Sequence, residues 1–125
     1  MGLSELFTSG LLDGLHIWPP SFEGDEHCIY FLAGGSTEWK HFAVPFNNTS
    51  EVLKYCEHLI ASLDAEIFST CRVYITKEPP LLDPVLIISA TDEPLTGIYL
   101  CSFAPYHTKR GALERLRKLY NDERH

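Results

Sequence analysis

"HCIYFLAGGSTEWKHFAV", residues 27–44, reads as two extended segments around a glycine-bearing connection. Residues 28–33 are apolar on both of the faces that an extended chain presents, which predicts a strand covered on both sides and so central in its sheet. Gly34-Gly35-Ser36-Thr37 suits a short antiparallel connection, because glycine reaches positive φ without steric cost. The returning segment is mixed, with Trp39, His41 and Ala43 on one face and Lys40, Phe42 and Val44 on the other, and Pro45 ends it. That mixture places it nearer a sheet edge. A hairpin here commits the chain to an antiparallel sheet.

The following stretch, "NNTSEVLKYCEHLIASLDAE" (47–66), changes period. Asn48 can cap, Glu51 lies three residues on, and Val52, Leu53, Cys56, Leu59, Ile60 and Leu63 form one stripe at helical spacing. Upstream, Leu3, Leu6, Phe7 and Leu11 carry the same spacing, so a first helix is predicted over 3–13, closed by Gly14 as a left-handed cap. "IWPPSFEGDE" (17–26) is broken by Pro19, Pro20 and Gly24 and reads as a loop anchored by Trp18 and Phe22.

Downstream, residues 71–76 alternate as a half-buried strand and "KEPPLLDP" interrupts. Strands over 85–90 and 98–104 form a second hairpin about "TDEPLTG", and a final helix over 108–122 turns Leu113, Leu116 and Tyr120 inward. The predicted order is α-β-β-α-β-β-β-α: one α+β domain over 1–125, a layer sandwich in which helices cover an antiparallel sheet of about five strands.

Length and composition agree with this. The 125 residues are 45% hydrophobic and 22% charged, the size and balance of one folding domain and unlike a disordered or fibrous chain. No apolar run approaches the roughly 18–20 residues that span a bilayer, so membrane insertion is not expected. "MGLSELFTSGLLDGLHIW" lacks basic residues ahead of its apolar part, and Leu6 stands where a myristoylation signal wants Ser or Thr; a cytoplasmic location is the expectation.

The net charge of −7 is unevenly placed. Residues 1–108 hold four cations against fourteen acidic groups, a net −10, whereas residues 109–125 hold six cations against Glu114, Asp122 and Glu123, a net +3. An acidic body repels phosphate backbones, which argues against a nucleic-acid partner.

Reactive chemistry is dispersed. Cys28, Cys56, Cys71 and Cys101 include no Cys-x-x-Cys pair and sit among apolar neighbours, so they read as free buried thiols in a reducing compartment. His16, His27, His41, His58 and His107 show no metal-ligand spacing, and no phosphate-cradling glycine loop is present. No metal, cofactor or catalytic residue is therefore expected.

One stretch bears on small anions: "SFAPYHTKRGALERLRKLY" (102–120), where a strand runs through a turn into a helix. His107, Thr108, Lys109, Arg110 and Gly111 would surround a helix N-terminus, whose free amides and dipole favour negative charge. The segment is similar to the acetyl-CoA-binding turn of the N-acetyltransferase superfamily, in which a strand leads into Gln/Arg-x-x-Gly-x-Gly/Ala and a helix. Thr108 stands in place of the Gln or Arg and Leu113 in place of the last Gly or Ala, and that family continues with further strands. The resemblance implies a small CoA- or nucleotide-binding transferase-like domain using the 105–111 turn. The plainer reading makes Thr108 an N-cap and sets Lys109 and Arg110 against the carboxylates of a partner.

Trp18, Phe22 and Trp39, in or beside loops and on the edge strand, are aromatic anchors of the kind interfaces favour; with Lys109, Arg110 and Arg117 they form the candidate partner-binding set. The element order resembles that of roadblock-type dynein light chains and related profilin-like modules. That resemblance implies a small cytosolic dimer, paired through a helix and an edge strand, that scaffolds GTPase or motor complexes. Bacterial secretion chaperones are similar too, being small, acidic, dimeric and α+β, but place three strands before the middle helix where two are predicted here. The functional expectation is a non-catalytic protein–protein interaction module, of adaptor, scaffold or chaperone kind, dimeric or bound to a protein partner. The CoA- or nucleotide-binding domain is the alternative.

Overall fold

The computed structural model describes residues 2–18, 26–77, 83–91 and 104–123. A short helix α1 (Leu3–Thr8) is followed by three strands, β1 (Leu12–Trp18), β2 (His27–Ala33) and β3 (Trp39–Val44). Helix α2 (Thr49–Ala61) and the one-turn α3 (Ile67–Thr70) come next, then β4 (Arg72–Thr76), β5 (Val85–Ser89) and helix α4 (Lys109–Glu123). The strands make one antiparallel sheet in the order β3-β2-β1-β5-β4. The fold is α+β with a five-stranded antiparallel sheet, the class the hydrophobic periods predict.

The order departs from expectation ahead of the middle helix, where three strands are found and not two, and after it, where the one-turn α3 follows and β5, expected to pair in a hairpin with 98–104, is paired instead with β1 and β4. The helical stripe that Leu3, Leu6 and Phe7 begin stops at Thr8, and the chain reverses through Gly10 at φ +78°. Glycine is among the poorest helix formers, and from Leu12 onward the chain instead gains backbone partners on both sides, β2 and β5. Sheet pairing outweighs one further helical turn. Gly14, expected as a helix cap, lies within β1 beneath the indole of Trp39, where a Cβ would collide with the ring. β1 is thus the central strand, and β2 lies one position from the edge.

The strand expected over 98–104 lies outside the described residues except at Ala104. Within the described residues β5 is flanked on both edges, by β1 and β4, and Tyr106 donates its backbone N–H to the carbonyl of Val73 in β4 at 2.7 Å.

α2 begins as its sequence predicts. The Asn48 side-chain oxygen accepts the Glu51 N–H at 2.9 Å, and the Glu51 carboxylate reaches back to the Asn47 N–H at 2.6 Å. Val52, Leu53, Cys56 and Ile60 are buried from this helix, and Ala112, Leu116 and Leu119 from α4, which packs beside it. They meet Ile17, Ile29, Val73, Ile75, Leu86 and Ile88 on one face of the sheet. Each large side chain so buried contributes about 1.5–3 kcal/mol. The opposite face is buried as well at His16, Leu32, Tyr74, Thr76, Val85 and Ile87. That two-sided burial is why β5 can be a run of apolar residues closed by Ser89.

Candidate functional site

The 105–111 turn does form a helix start. Thr108 caps α4, its hydroxyl oxygen accepting the Gly111 N–H at 3.0 Å and its carbonyl accepting the Ala112 N–H at 3.1 Å. One of the free amides that an anion would use, that of Gly111, is thereby satisfied. Arg110 is turned along the helix to Glu114, Nε to Oε1 at 3.1 Å, with both side chains well exposed. Lys109 is half-buried and His107 exposed.

The candidate partner-binding residues are spread over the molecule. Trp18 is half-buried at the end of β1, opposite Cys28. Phe22 lies outside the described residues. Trp39 is half-buried on β3, its ring 4.3 Å from that of His16 and over Gly14. Arg117 is exposed on α4, apart from Trp39. β3 itself is the outermost strand, and residues 40–43 are exposed in an unbroken run. Phe42 is 51% exposed, and among the described residues its aromatic neighbour is Phe31, ring centres 6.3 Å apart. Among the described residues nothing pairs with the outer edge of β3. The mixed pattern of 39–44 marks the edge strand; it gives no sign that Phe42, and not Trp39, would present the open ring.

A buried polar cluster has no signature in the spacing. His27 Nε2 lies 3.1 Å from Asp83 Oδ2, off the line that a hydrogen bond requires, and the hydroxyl of Thr49 donates to the other oxygen of Asp83. Phe46 closes over His27 edge-on, ring centres 5.3 Å apart. The carboxylate stands between hydroxyl and imidazole, so the imidazole does not hold the hydroxyl as a base holds a nucleophile. The cluster instead ties the N-terminus of α2 to β2 and to the entry of β5, with the acidic group favourably placed at a helix start. Replacing Asp83 by Ala, which takes from Thr49 its acceptor and from His27 a neighbouring carboxylate, is expected to cost roughly 1 kcal/mol, read as a lowered urea midpoint.

Two of the thiols, Cys56 and Cys71, are poorly suited to attack. Burial pushes Cys56 up to about 12 and also raises Cys71, so neither is a thiolate near neutral pH. Cys101 lies outside the described residues. Among the described residues no three His, Cys, Asp or Glu side chains gather as a metal site, and no helix is long and apolar enough to cross a membrane. An open groove of about 420 Å³ between α2 and α4 is lined by Lys54, Glu57, His58, Ala61 and Tyr120, with Lys54 Nζ 6.0 Å from the centre of the Tyr120 ring. Its charges are mixed in sign.

Compared with known proteins, the chain matches no family model, no curated protein and no solved structure.

Proposed function

We propose that this chain is a non-catalytic protein–protein interaction module of adaptor, scaffold or chaperone kind, working in the cytoplasm and contacting its partners through the open edge of its sheet. The observation that carries the reading is β3: an outermost strand with an unpaired outer edge among the described residues and the half-exposed ring of Phe42. An edge strand offers a row of N–H and C=O groups to a pairing chain, and proteins that do not use such an edge normally blunt it with charges, proline or a bulge. Here Lys40 is the only charged residue in the strand, and Pro45 lies just beyond it.

The test is affinity capture on immobilised wild-type and Phe42→Glu chains, paired with thermal unfolding in CoA and in ATP. The expected result is a set of proteins held by wild type and at least about tenfold depleted on the variant, roughly 1.4 kcal/mol, with no change of Tm in either small molecule. A rise of Tm in CoA or ATP that disappears in Lys109→Ala/Arg110→Ala would overturn the reading in favour of the small-anion domain.

A further inference from the structure

We infer that Trp39 is a proton-operated cover: its indole closes over β1 while the imidazole of His16 is neutral, and protonation of His16 releases the ring from the sheet while α2 and α4 keep their places on the opposite face. This holds whatever binds the β3 edge.

The cover depends on a slot in the sheet. Trp39 and Leu32 are cross-strand partners, and so are Leu32 and Gly14. An indole that starts on the outermost strand and ends over Gly14 therefore crosses the width of β2. It can do so because residue 14 has no side chain; a Cβ there would collide with the ring. On the same face Leu32 and His16 are each only 5% exposed, the imidazole lying 4.3 Å from the indole between ring centres. Trp39 itself is half-buried.

What lies beneath is closed to a charge. His16 Nε2 is shut off from water and has no hydrogen-bond partner among the described residues. Neutral imidazole bears this as one unmade hydrogen bond, whereas imidazolium brings two N–H donors and a charge to be solvated. The described groups around it cannot take that charge. Tyr30 and Ile87 flank His16 on β2 and β5. The Tyr30 hydroxyl is neutral, its pKa raised by burial and by the Cys28 thiol beside it. His41 on β3, its ring 5.1 Å from that of Tyr30, could only add positive charge. Asp13, the nearest carboxylate along β1, is turned to the Gly35 N–H at 3.0 Å. The indole face attracts a cation without supplying the acceptor that the N–H groups require.

Of the groups around His16, Trp39 is the one placed to give way. β1 is bonded on both sides, by β2 and β5, and the helical core fills the opposite face. Trp39 stands on the outermost strand and can swing about its own side-chain torsions. The closed imidazole has its pKa pushed down from 6.5 to about 4, and a hydrated one regains the ordinary value. Protons thus bind the open form more tightly, so opening is favoured as pH falls below 6.5, by about 60-fold at pH 4.5 relative to pH 7. Opening bares Leu32 and the floor at Gly14 as an apolar strip present only in acid.

The experiment uses Trp18→Phe as background, which leaves Trp39 the sole tryptophan. Acrylamide quenching follows the cover, imidazole NMR shifts follow the proton, and far-UV circular dichroism follows the fold. Between pH 7 and pH 4.5 quenching is expected to rise about threefold with the far-UV spectrum retained, and not to rise in His16→Phe. By reciprocity, Gly14→Ala, whose Cβ takes the place of the indole, should leave Trp39 quenched already at pH 7 and move the His16 titration to above about 5. Trp39→Leu removes the same ring without touching β1 and should move that titration likewise. Quenching that stays flat, that rises equally in His16→Phe, or that rises only as the far-UV signal is lost would overturn the inference. So would a His16 titration that neither Gly14→Ala nor Trp39→Leu moves, because the indole would then not be what keeps the imidazole neutral.

Discussion

Replacing Gly34 by alanine is expected to lower stability by roughly 3 kcal/mol, near the upper end of what overpacking costs. The end of β2 passes so close to the α1–β1 turn that a Cβ on Gly34 would overlap the Gly10 carbonyl oxygen and lie 2.8 Å from its carbon. Both obstacles are backbone, so no rotamer change relieves them. Backing away is also opposed, because Gly34 donates its N–H to the Leu11 carbonyl at 2.9 Å. The neighbouring glycine is the control. Gly35 has φ +79° with nothing within 4 Å of an added Cβ, so Gly35→Ala should cost only about 1 kcal/mol of left-handed strain. Urea unfolding of the three proteins measures the difference, and a Gly34→Ala loss no larger than that of Gly35→Ala would contradict the close approach.

His16 should make the protein acid-sensitive in a definite window. It is 5% exposed, its Nε2 has no hydrogen-bond partner among the described residues, and burial pushes its pKa down from 6.5 to about 4. Between those values the unfolded chain binds a proton that the folded chain does not, so stability falls as pH drops from about 6.5 toward 4. The full contribution is present above that window. By linkage the loss at pH 4.5 is on the order of 2–3 kcal/mol. His16→Phe keeps a ring against Trp39 and removes the titrating group, which isolates this effect from carboxylates that protonate in the lower part of the same range. Measured by urea unfolding at pH 7 and pH 4.5, the variant should lose roughly 2–3 kcal/mol less than wild type. Equal losses would mean that His16 is not held neutral in the fold.

What could be read from the sequence was what is encoded within a few residues. The Asn48 cap and the Val52-to-Leu63 stripe, the glycine connection between β2 and β3, and Thr108 at the start of α4 all act over one or two turns, and all are found. β1 was hidden because Leu3, Leu6, Phe7 and Leu11 satisfy a helical period up to the strand itself. What makes residues 12–18 extend is pairing with β2 and with β5, the latter far along the chain. Gly14 was ambiguous for the same reason: the residue that excludes a side chain there is Trp39, on another strand. Trp39, expected at a contact surface, spends its ring against His16, and Phe42 on the other face of the same strand is the more open. The Thr49, Asp83 and His27 cluster draws on three separate elements, and nothing in the local pattern of any one of them announces it.

The strand order also sets a schedule for the growing chain. β1, β2 and β3 can assemble in sequence as a meander as soon as each emerges, but the second neighbour of β1 is β5, so Ile17 meets Leu86 and Gly14 meets Ser89 only after α2, α3 and β4 have been made. Long-range pairing of this kind is slow to close. Until it does, the nascent meander has two bare margins, β3 and β1, and the second of these carries Ile17, which ends wholly enclosed. During synthesis the strand that will become the centre is therefore, for a time, an open and apolar sheet edge of the kind that aggregates.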